Sequence, residues 1–370
     1  MAGDGKRMNY AREIAYELYQ RGHSSKTALV TQLGVSLPTV LQNVRLLMEN
    51  GLVVQTGQME SRGGRKADAL ALNADHSFAI GADVTRNHLS LVAVDLRGTL
   101  RWHERLSLPF AADDSYARLF QQAVGAFLKK HELAAERVLG VGLSVPGILS
   151  ADGRTLVYSH ALGVRNHPLD ALGRCCGARM IAVNDANAAA LAERRLLPPK
   201  GRLAYLSLSN SVGGAVLMNG ALYLGDHGRS AEFGHMTVVP DGRECYCGKL
   251  GCFDAYGSAL RLSAAYHGKL AEFFRALSAR EPQAQIVWEE YRRYLAIMCN
   301  QLRMAFDCTV MLGGYVGAFL EPYLPEIAQA AARLNTFEPS GQYICCCKYK
   351  TEAAALGAAL LHIERFFDTL

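Results

Sequence analysis

The feature that most constrains the fold of this chain is a compact group of cysteines in its third quarter. Residues 245–252 read Cys-Tyr-Cys-Gly-Lys-Leu-Gly-Cys, and a Glu-Phe-Gly-His segment at 232–235 lies just before them. Three thiolates and one imidazole suit tetrahedral zinc with no open position, which is the stoichiometry of a structural site. Glycines between the cysteines let the backbone turn tightly, so that the sulfur atoms converge. The predicted ligands of this structural Zn²⁺ are His235, Cys245, Cys247 and Cys252.

The alternative is that three buried or oxidised thiols lie near an unrelated histidine. The start of the chain has no apolar signal-peptide segment, and no uncharged apolar run is long enough to span a membrane. We therefore expect a cytoplasmic protein, and in a reducing cytosol clustered cysteines more often bind metal or pack. The chain has ten cysteines, and we interpret the seven outside the motif as small apolar packing groups.

The first seventy residues show the pattern of a winged helix-turn-helix. Between Met8 and Gly51, apolar residues recur at helical spacing in three segments, which are separated by glycines and serines that end and start helices. Two short apolar segments, residues 52–55 and 69–72, flank a basic Ser-Arg-Gly-Gly-Arg-Lys turn and predict a two-stranded wing. The net charge is only +5, so the local basic turn, and not the overall composition, indicates contact with nucleic acid.

The third of these helices is the candidate DNA-reading helix. We expect it to lie in the major groove, where Gln and Asn pair with adenine and Arg with guanine or phosphate, while wing arginines enter a minor groove. The helix pattern alone is equally compatible with a three-helix interaction domain that never touches DNA, and the basic turn favours DNA. The predicted contacts are Ser36, Thr39, Gln42, Asn43, Arg45, Arg62 and Arg65.

From Phe78 onward, strand and helix patterns alternate, and each half opens with a three-stranded meander and a glycine-bearing turn. This alternation predicts a two-lobed α/β domain with a ligand cleft between the lobes. Long helical patterns cover residues 259–279 and 286–306. The expected domains are a winged helix-turn-helix in residues 1–74 and an α/β domain in residues 75–370, with one lobe at about 75–184 plus 352–370 and the other at about 185–351.

Five motifs together resemble the ROK family (repressors, open reading frames and kinases), and in particular its NagC/XylR-like regulators. They are the winged helix with its basic turn, Val-Pro-Gly at 145–147, Asn-Asp-Ala-Asn at 184–187, and the two segments at 232–235 and 245–252. The resemblance covers nearly the whole chain, and the cysteine motif is its most specific part. It implies an actin-like, hexokinase-like ATPase fold, a sugar between the lobes and commonly a homodimer.

The same resemblance implies a sugar site. The positions that match the family's sugar contacts are Asn184, Asp185, Glu232, His235 and Asp254, the last with a shorter side chain than the family's Glu. Asp185 also matches the kinase's catalytic base, a role that suits a carboxylate because it must take the proton from the attacking sugar hydroxyl. Asn184 and Asp185 stand where a helix is expected to begin, so N-capping is the alternative role for both.

Both expected phosphate loops depart from the family pattern. Residues 83–87 read Asp-Val-Thr-Arg-Asn in place of Asp-x-Gly-Gly-Thr, and residues 209–214 read Ser-Asn-Ser-Val-Gly-Gly in place of Gly-Thr-Gly-x-Gly-Gly. Phosphate cradles use glycines so that backbone N–H groups point inward without obstruction by Cβ atoms. Ala161 also replaces a sugar-contacting Asn of the family.

Three functional classes remain. We favour a sugar-responsive transcriptional repressor without kinase activity. Its expected partners are a duplex DNA operator, a sugar or sugar derivative, and further copies of the chain in a homodimer or higher homo-oligomer. The alternatives are a ROK sugar kinase that uses Asp185 as its base, and a DNA-binding protein that responds to no ligand.

Overall fold

The computed structural model describes residues 2–58, 68–174, 179–198 and 200–370. Within these ranges the chain divides into two units, each with its own core. One unit comprises residues Met1–Leu143, Leu169–Ala182 and Ala358–Leu370, and the other comprises Ser144–Pro168 and Val183–Gly357. All the predicted metal and sugar ligands lie in the second unit.

The N-terminal segment folds as three helices and a hairpin, as predicted. The helices are α1 (Ala2–Arg21), α2 (Lys26–Leu33) and α3 (Leu37–Glu49), and the antiparallel strands are β1 (Val53–Gln58) and β2 (Asp68–Leu72). Ser25 and Ser36 cap α2 and α3, because each hydroxyl accepts a backbone N–H three residues later, and Gly34 ends α2 with a φ of 65°.

The buried side of α3 carries an apolar stripe. Val40, Val44 and Leu47 are buried, whereas Met48 is 40% exposed. The buried stripe follows positions i, i+4 and i+7 of the helix, and Met48 lies beside this stripe on the solvent side.

The first unit continues into a five-stranded sheet of order β10-β6-β3-β4-β5. Strand β3 is buried along its whole length, which agrees with a sequence that is apolar apart from Asp83. The elements are β3 (Phe78–Val84), β4 (His88–Asp95), β5 (Leu100–Ser107), α4 (Asp114–Lys130), β6 (Val138–Val145) and β10 (Met180–Asn184), and α12 (Ala353–Thr369) ends the chain.

The second unit is built on another five-stranded sheet, of order β13-β12-β11-β14-β15. Strand β11 pairs antiparallel with β12 and parallel with β14. The strands are β11 (Leu203–Leu208), β12 (Val212–Met218), β13 (Ala221–Leu222), β14 (Thr309–Gly313) and β15 (Ile344–Cys346). The helices are α5 (Asp185–Arg194), α6 (Asp254–Gly257), α7 (Ala259–Ser263), α8 (Leu270–Ser278), α9 (Pro282–Phe306), α10 (Gly314–Gly317) and α11 (Leu324–Ala332).

Two features of this unit were not predicted. A small antiparallel sheet forms from β7 (Ile148–Leu149), β8 (Thr155–Ser159) and β9 (Val164–Pro168). The single helix expected over 259–279 is instead divided into α7 and α8, because His267 and Gly268 both adopt positive φ, which a continuous right-handed helix excludes. In the described part of the chain, no helix is both long and apolar enough to cross a membrane.

Candidate metal centre and ligand site

The structure brings the four predicted metal ligands together. The ligand atoms of His235, Cys245, Cys247 and Cys252 all lie within 4.8 Å of one another. His235 ends a short 3-10 turn, and the cysteines lie on a tight loop in which the Cys245 N–H donates to the Lys249 carbonyl at 2.9 Å. Gly248 and Gly251 both have a φ of 80°, so the loop needs glycine for its two left-handed positions, as the sequence predicts.

The spacing of these donors fits a tetrahedral ion. With metal–sulfur bonds of about 2.3 Å, the sulfur–sulfur edge of a tetrahedron is about 3.8 Å. The Cys247 and Cys252 sulfur atoms are 3.7 Å apart, and Cys245 Sγ lies 3.8 Å from His235 Nδ1. Burial raises the pKa of the Cys245 thiol to about 12, so a cation is needed to hold it as a thiolate. The donor set and its geometry therefore fit a closed metal site.

The second ring nitrogen of His235 contacts a residue that the sequence analysis did not single out. The Tyr246 hydroxyl lies 3.2 Å from His235 Nε2. If Nδ1 binds a metal, Nε2 carries the ring proton and donates a hydrogen bond to this hydroxyl, which then serves as the outer-shell partner of the histidine. The Tyr246 ring also stacks on His160, with ring centroids 3.9 Å apart and planes inclined by 13°.

Asn184 lies at the start of α5 and uses both ends of its amide within the protein. Its Oδ1 accepts the Asn187 N–H at 3.1 Å, and its Nδ2 donates to the Gly147 carbonyl at 3.1 Å. Asn184 therefore acts in this structure as the N-cap of α5, the alternative role considered for it above. Asp185, half-buried in the first turn of α5, accepts the N–H of Ala186 at 2.9 Å.

Asp254 binds the protein backbone. It is 6% exposed, and its Oδ2 accepts the Val212 N–H at 2.6 Å, which anchors the turn formed by residues 209–211. Burial raises the pKa of the Asp254 carboxyl, and the Val212 N–H opposes that shift. The side chain of Glu232 is exposed to solvent. Partial desolvation of its carboxyl group nevertheless raises its pKa, and nearby His235 opposes that shift.

The segment that carries Glu232 and His235 packs directly against β12. A Cβ on Gly214 would lie 2.2 Å from the Phe233 ring, and one on Gly234 would lie 2.3 Å from the Val212 carbonyl oxygen. These contacts allow only glycine at both positions. The cysteine loop (residues 245–252), the 232–235 segment and the start of β12 are thus packed closely together.

The turn at 83–87, in the first unit, is closed by its own hydrogen bonds. The Thr85 N–H donates to the His88 carbonyl at 2.9 Å, and the Thr85 hydroxyl accepts the His88 N–H at 3.1 Å. Two backbone N–H groups of this region therefore point to partners within the turn.

The candidate DNA-reading helix presents some of the predicted contacts to solvent but not all. Gln42 and Arg45 are exposed, and Arg45 pairs with Glu49 at 2.8 Å. Asn43 is 3% exposed and donates to the Thr39 carbonyl at 2.8 Å, so the prediction that Asn43 reads a base is wrong. Ser36 and Thr39 hydrogen-bond each other at the start of the helix. Arg62 and Arg65 lie outside the described residues.

The interpretation of the other cysteines as packing groups agrees with the burial of Cys299, Cys308 and Cys347. Cys345 and Cys346 are only partly buried, and Cys175 and Cys176 lie outside the described residues.

Comparison with known proteins identifies the family. Residues 79–365 match the ROK family. This chain belongs to that family. It is 28% identical over 245 residues to the xylose repressor of Bacillus spizizenii, a match that covers 65% of this chain and 64% of the repressor. The chain thus spans less than two thirds of the length of that relative.

Two further comparisons extend the match. The chain is 31% identical over 294 residues to the N-acetylmannosamine kinase of Citrobacter koseri, covering 74% of this chain and 98% of the kinase. The crystal structure of a ROK family transcriptional regulator, a homolog of the E. coli MLC protein, superimposes with a TM-score of 0.75 at 20% identity, and covers 98% of this chain and 97% of its own. The predicted fold, a helix-turn-helix followed by a hexokinase-like, actin-like α/β domain, is thereby confirmed.

Tyr246, His160 and the backbone partner of Asp254 were not predicted from the sequence. Tyr246 stands between two predicted metal ligands, so its closeness to the site was implicit in the motif. His160 is 86 residues from Tyr246 and is brought to it by the unpredicted sheet of β7, β8 and β9, for which the sequence carried no comparable signal.

Proposed function

We propose that this chain is a sugar-responsive DNA-binding transcriptional regulator that acts as a repressor in the cytoplasm. The observation that carries the proposal is the winged helix-turn-helix ahead of the ROK domain, with Gln42 and Arg45 exposed on α3. Such a helix places polar side chains where base edges are read. The likeness to a xylose repressor and to a ROK family transcriptional regulator supports the same function.

The bound metal in this proposal is structural Zn²⁺. Four protein donors leave no position for a water or a substrate, so the ion supplies folding energy and no chemistry. Its ligands tie the 232–235 segment to the cysteine loop, and through Gly214 and Gly234 that segment supports β12. Zinc would thereby hold Glu232 and His235 in position for a ligand.

The effector in this proposal is a sugar or a sugar derivative. The residues proposed to contact it are Asn184, Asp185, Glu232, His235 and Asp254. Carboxylates and an amide exchange hydrogen bonds with several hydroxyls at once. A sugar changes DNA affinity only to the extent that it binds the two conformations of the protein differently.

Two turns favour sensing over phosphoryl transfer. The N–H groups of Thr85 and Val212 donate to protein acceptors, and Arg86 occupies a position that is glycine in the kinase pattern. Phosphoryl transfer depends on positioning the γ-phosphate and stabilising its charge, so the loss of such donors removes more than a base at Asp185 restores.

A second candidate function is a ROK sugar kinase. It is favoured by the carboxylate of Asp185 at the start of α5 and by the 31% identity to an N-acetylmannosamine kinase. A coupled ATPase assay with a panel of sugars distinguishes the two candidates. The sensor predicts no sugar-dependent turnover, whereas turnover that is abolished by Asp185→Asn would establish the kinase.

The DNA-binding assignment is tested by selecting duplexes from a random library with the full chain and with a chain that lacks residues 1–72. The full chain should select a pseudo-palindromic site, because two copies would present two reading helices to the DNA. The shortened chain should select none. Selection of the same site by the shortened chain would refute the assignment.

A further inference from the structure

Tyr246 lies between two of the candidate metal ligands, but its side chain is turned away from the cluster. Its hydroxyl lies 3.2 Å from His235 Nε2, the nitrogen on the side opposite the cysteines. Because Nδ1 faces the thiols, Nε2 is the atom through which His235 would contact a ligand. In this structure a protein hydroxyl already holds that position.

The phenol is held in place by a second aromatic ring. His160, between β8 and β9, covers one face of the Tyr246 ring at 3.9 Å, and the His235 ring meets Tyr246 edge-on with centroids 5.3 Å apart. Aromatic pairs at this distance stabilise a defined ring orientation. Tyr246 nevertheless remains 40% exposed, so the pair stands at a surface that a small molecule reaches.

Two other residues of the proposed sugar site already hydrogen-bond within the protein. Oδ2 of Asp254 binds the Val212 N–H, and the Asn184 amide binds Gly147 and Asn187. These groups are therefore already oriented by the protein. A ligand hydroxyl that hydrogen-bonds His235 Nε2 must first displace the Tyr246 hydroxyl. Any larger substituent of the ligand beside that hydroxyl must then share space with the Tyr246 ring.

We propose that Tyr246 is the specificity-determining residue of the ligand site. Its hydroxyl takes the place of a ligand hydroxyl at His235, its ring limits the space beside that nitrogen, and His160 fixes the ring by stacking. The site therefore selects a small sugar over one that carries a further hydroxymethyl or N-acetyl group. This inference rests on the proposed function, in which a sugar contacts Glu232 and His235.

Three variants at this cluster should change the selectivity of the site for sugars. Tyr246→Ala removes both the competing hydroxyl and the ring, so it should raise the affinity for the larger sugars about tenfold or more, relative to the smaller one. Tyr246→Phe retains the ring and removes only the hydroxyl, so its effect should be smaller. His160→Ala removes the stack and should shift selectivity in the same direction as Tyr246→Ala.

The experiment is isothermal titration calorimetry of the full chain with D-xylose, D-glucose and N-acetyl-D-mannosamine. D-xylose and D-glucose differ by one hydroxymethyl group, so the ratio of their dissociation constants reports the space beside His235. Tyr223→Ala is the matched control, because Tyr223 is 53% exposed in the same unit and lies outside this cluster. Zinc content is measured for every variant and should not change, since Tyr246 contributes no metal ligand.

A wild-type preference for D-xylose that falls in Tyr246→Ala and His160→Ala but not in Tyr223→Ala supports the inference. Sugar binding with the same ratio in Tyr246→Ala overturns the inference and leaves the proposed function intact. If Tyr246→Ala does not fold, an unchanged ratio in both Tyr246→Phe and His160→Ala overturns it equally. Absence of sugar binding by every protein overturns the proposed function and this inference together.

Discussion

The hydrogen bond between Asp254 and Val212 gives a prediction that can be worked out from the structure. Asp254→Ala removes the carboxylate whose Oδ2 lies 2.6 Å from the Val212 nitrogen, at a site where Asp254 is 6% exposed and Val212 is 4% exposed. The variant leaves the Val212 N–H buried without its acceptor. We expect the turn at 209–211 to open far more readily.

The magnitude follows from the kind of bond that is lost. A hydrogen bond to a charged group contributes about 1.5 to 3 kcal/mol, and a donor left buried without a partner costs about 1 to 3 kcal/mol. A local loss of about 2 to 3 kcal/mol corresponds to amide exchange that is roughly 30 to 160 times faster. Asp254→Asn keeps an acceptor oxygen and should lose only about 1 kcal/mol.

Hydrogen–deuterium exchange measured by mass spectrometry on peptides that contain Val212 tests this prediction. Asp226→Ala is the matched control, because Asp226 is an exposed aspartate of the same unit and should leave exchange at Val212 unchanged. Exchange at Val212 that is equally slow in wild type and Asp254→Ala would refute the bracing role of Asp254.

Three further predictions follow from other parts of the chain. Cys247→Ser should lower the zinc content below one ion per chain and loosen residues 232–235. Metal analysis and amide hydrogen exchange of that segment should therefore change together. Full zinc occupancy in the variant would contradict the ligand set. Arg65→Ala should lower the slope of log affinity against log salt by about one if Arg65 binds a DNA phosphate, and an unchanged slope would exclude that contact. Burial lowers the pKa of His362 to about 4, with smaller effects from Arg365 and Arg179, so the unfolded state takes up the proton first and stability is lost as pH falls from about 6.5 towards 4. The full loss in the free energy of unfolding is about 3 kcal/mol. Urea unfolding between pH 7 and 4.5 should show that the stability of His362→Gln depends less on pH than that of the wild type. The same pH dependence in both proteins would contradict this effect of His362.

Local signals explain why the N-terminal fold and the metal loop were predictable. Ser25, Gly34 and Ser36 mark helix ends through contacts within three or four residues, and all three act as expected. The cysteine motif is equally local, since its three thiols lie within eight residues. The boundary expected near residue 74 and the two lobe boundaries stay predictions.

Contacts between distant segments explain what the sequence could not predict. Whether Asn43 faces solvent or the core depends on how α3 packs against α1 and α2, and helical spacing allowed both. Asp254 was assigned to a ligand by resemblance, while its backbone partner is 42 residues away. The Tyr246–His160 stack likewise depends on the small sheet that positions His160, so it became visible only with the fold.

In the proposed function, a sugar controls DNA binding by this chain. This control is tested most directly by fluorescence anisotropy of a labelled duplex, selected by the full chain, titrated with protein in the presence and absence of the sugar that binds in calorimetry. We expect sequence-specific binding whose affinity changes at least fivefold when the sugar is added, without any need for ATP. Identical DNA affinity with and without a saturating sugar would contradict it.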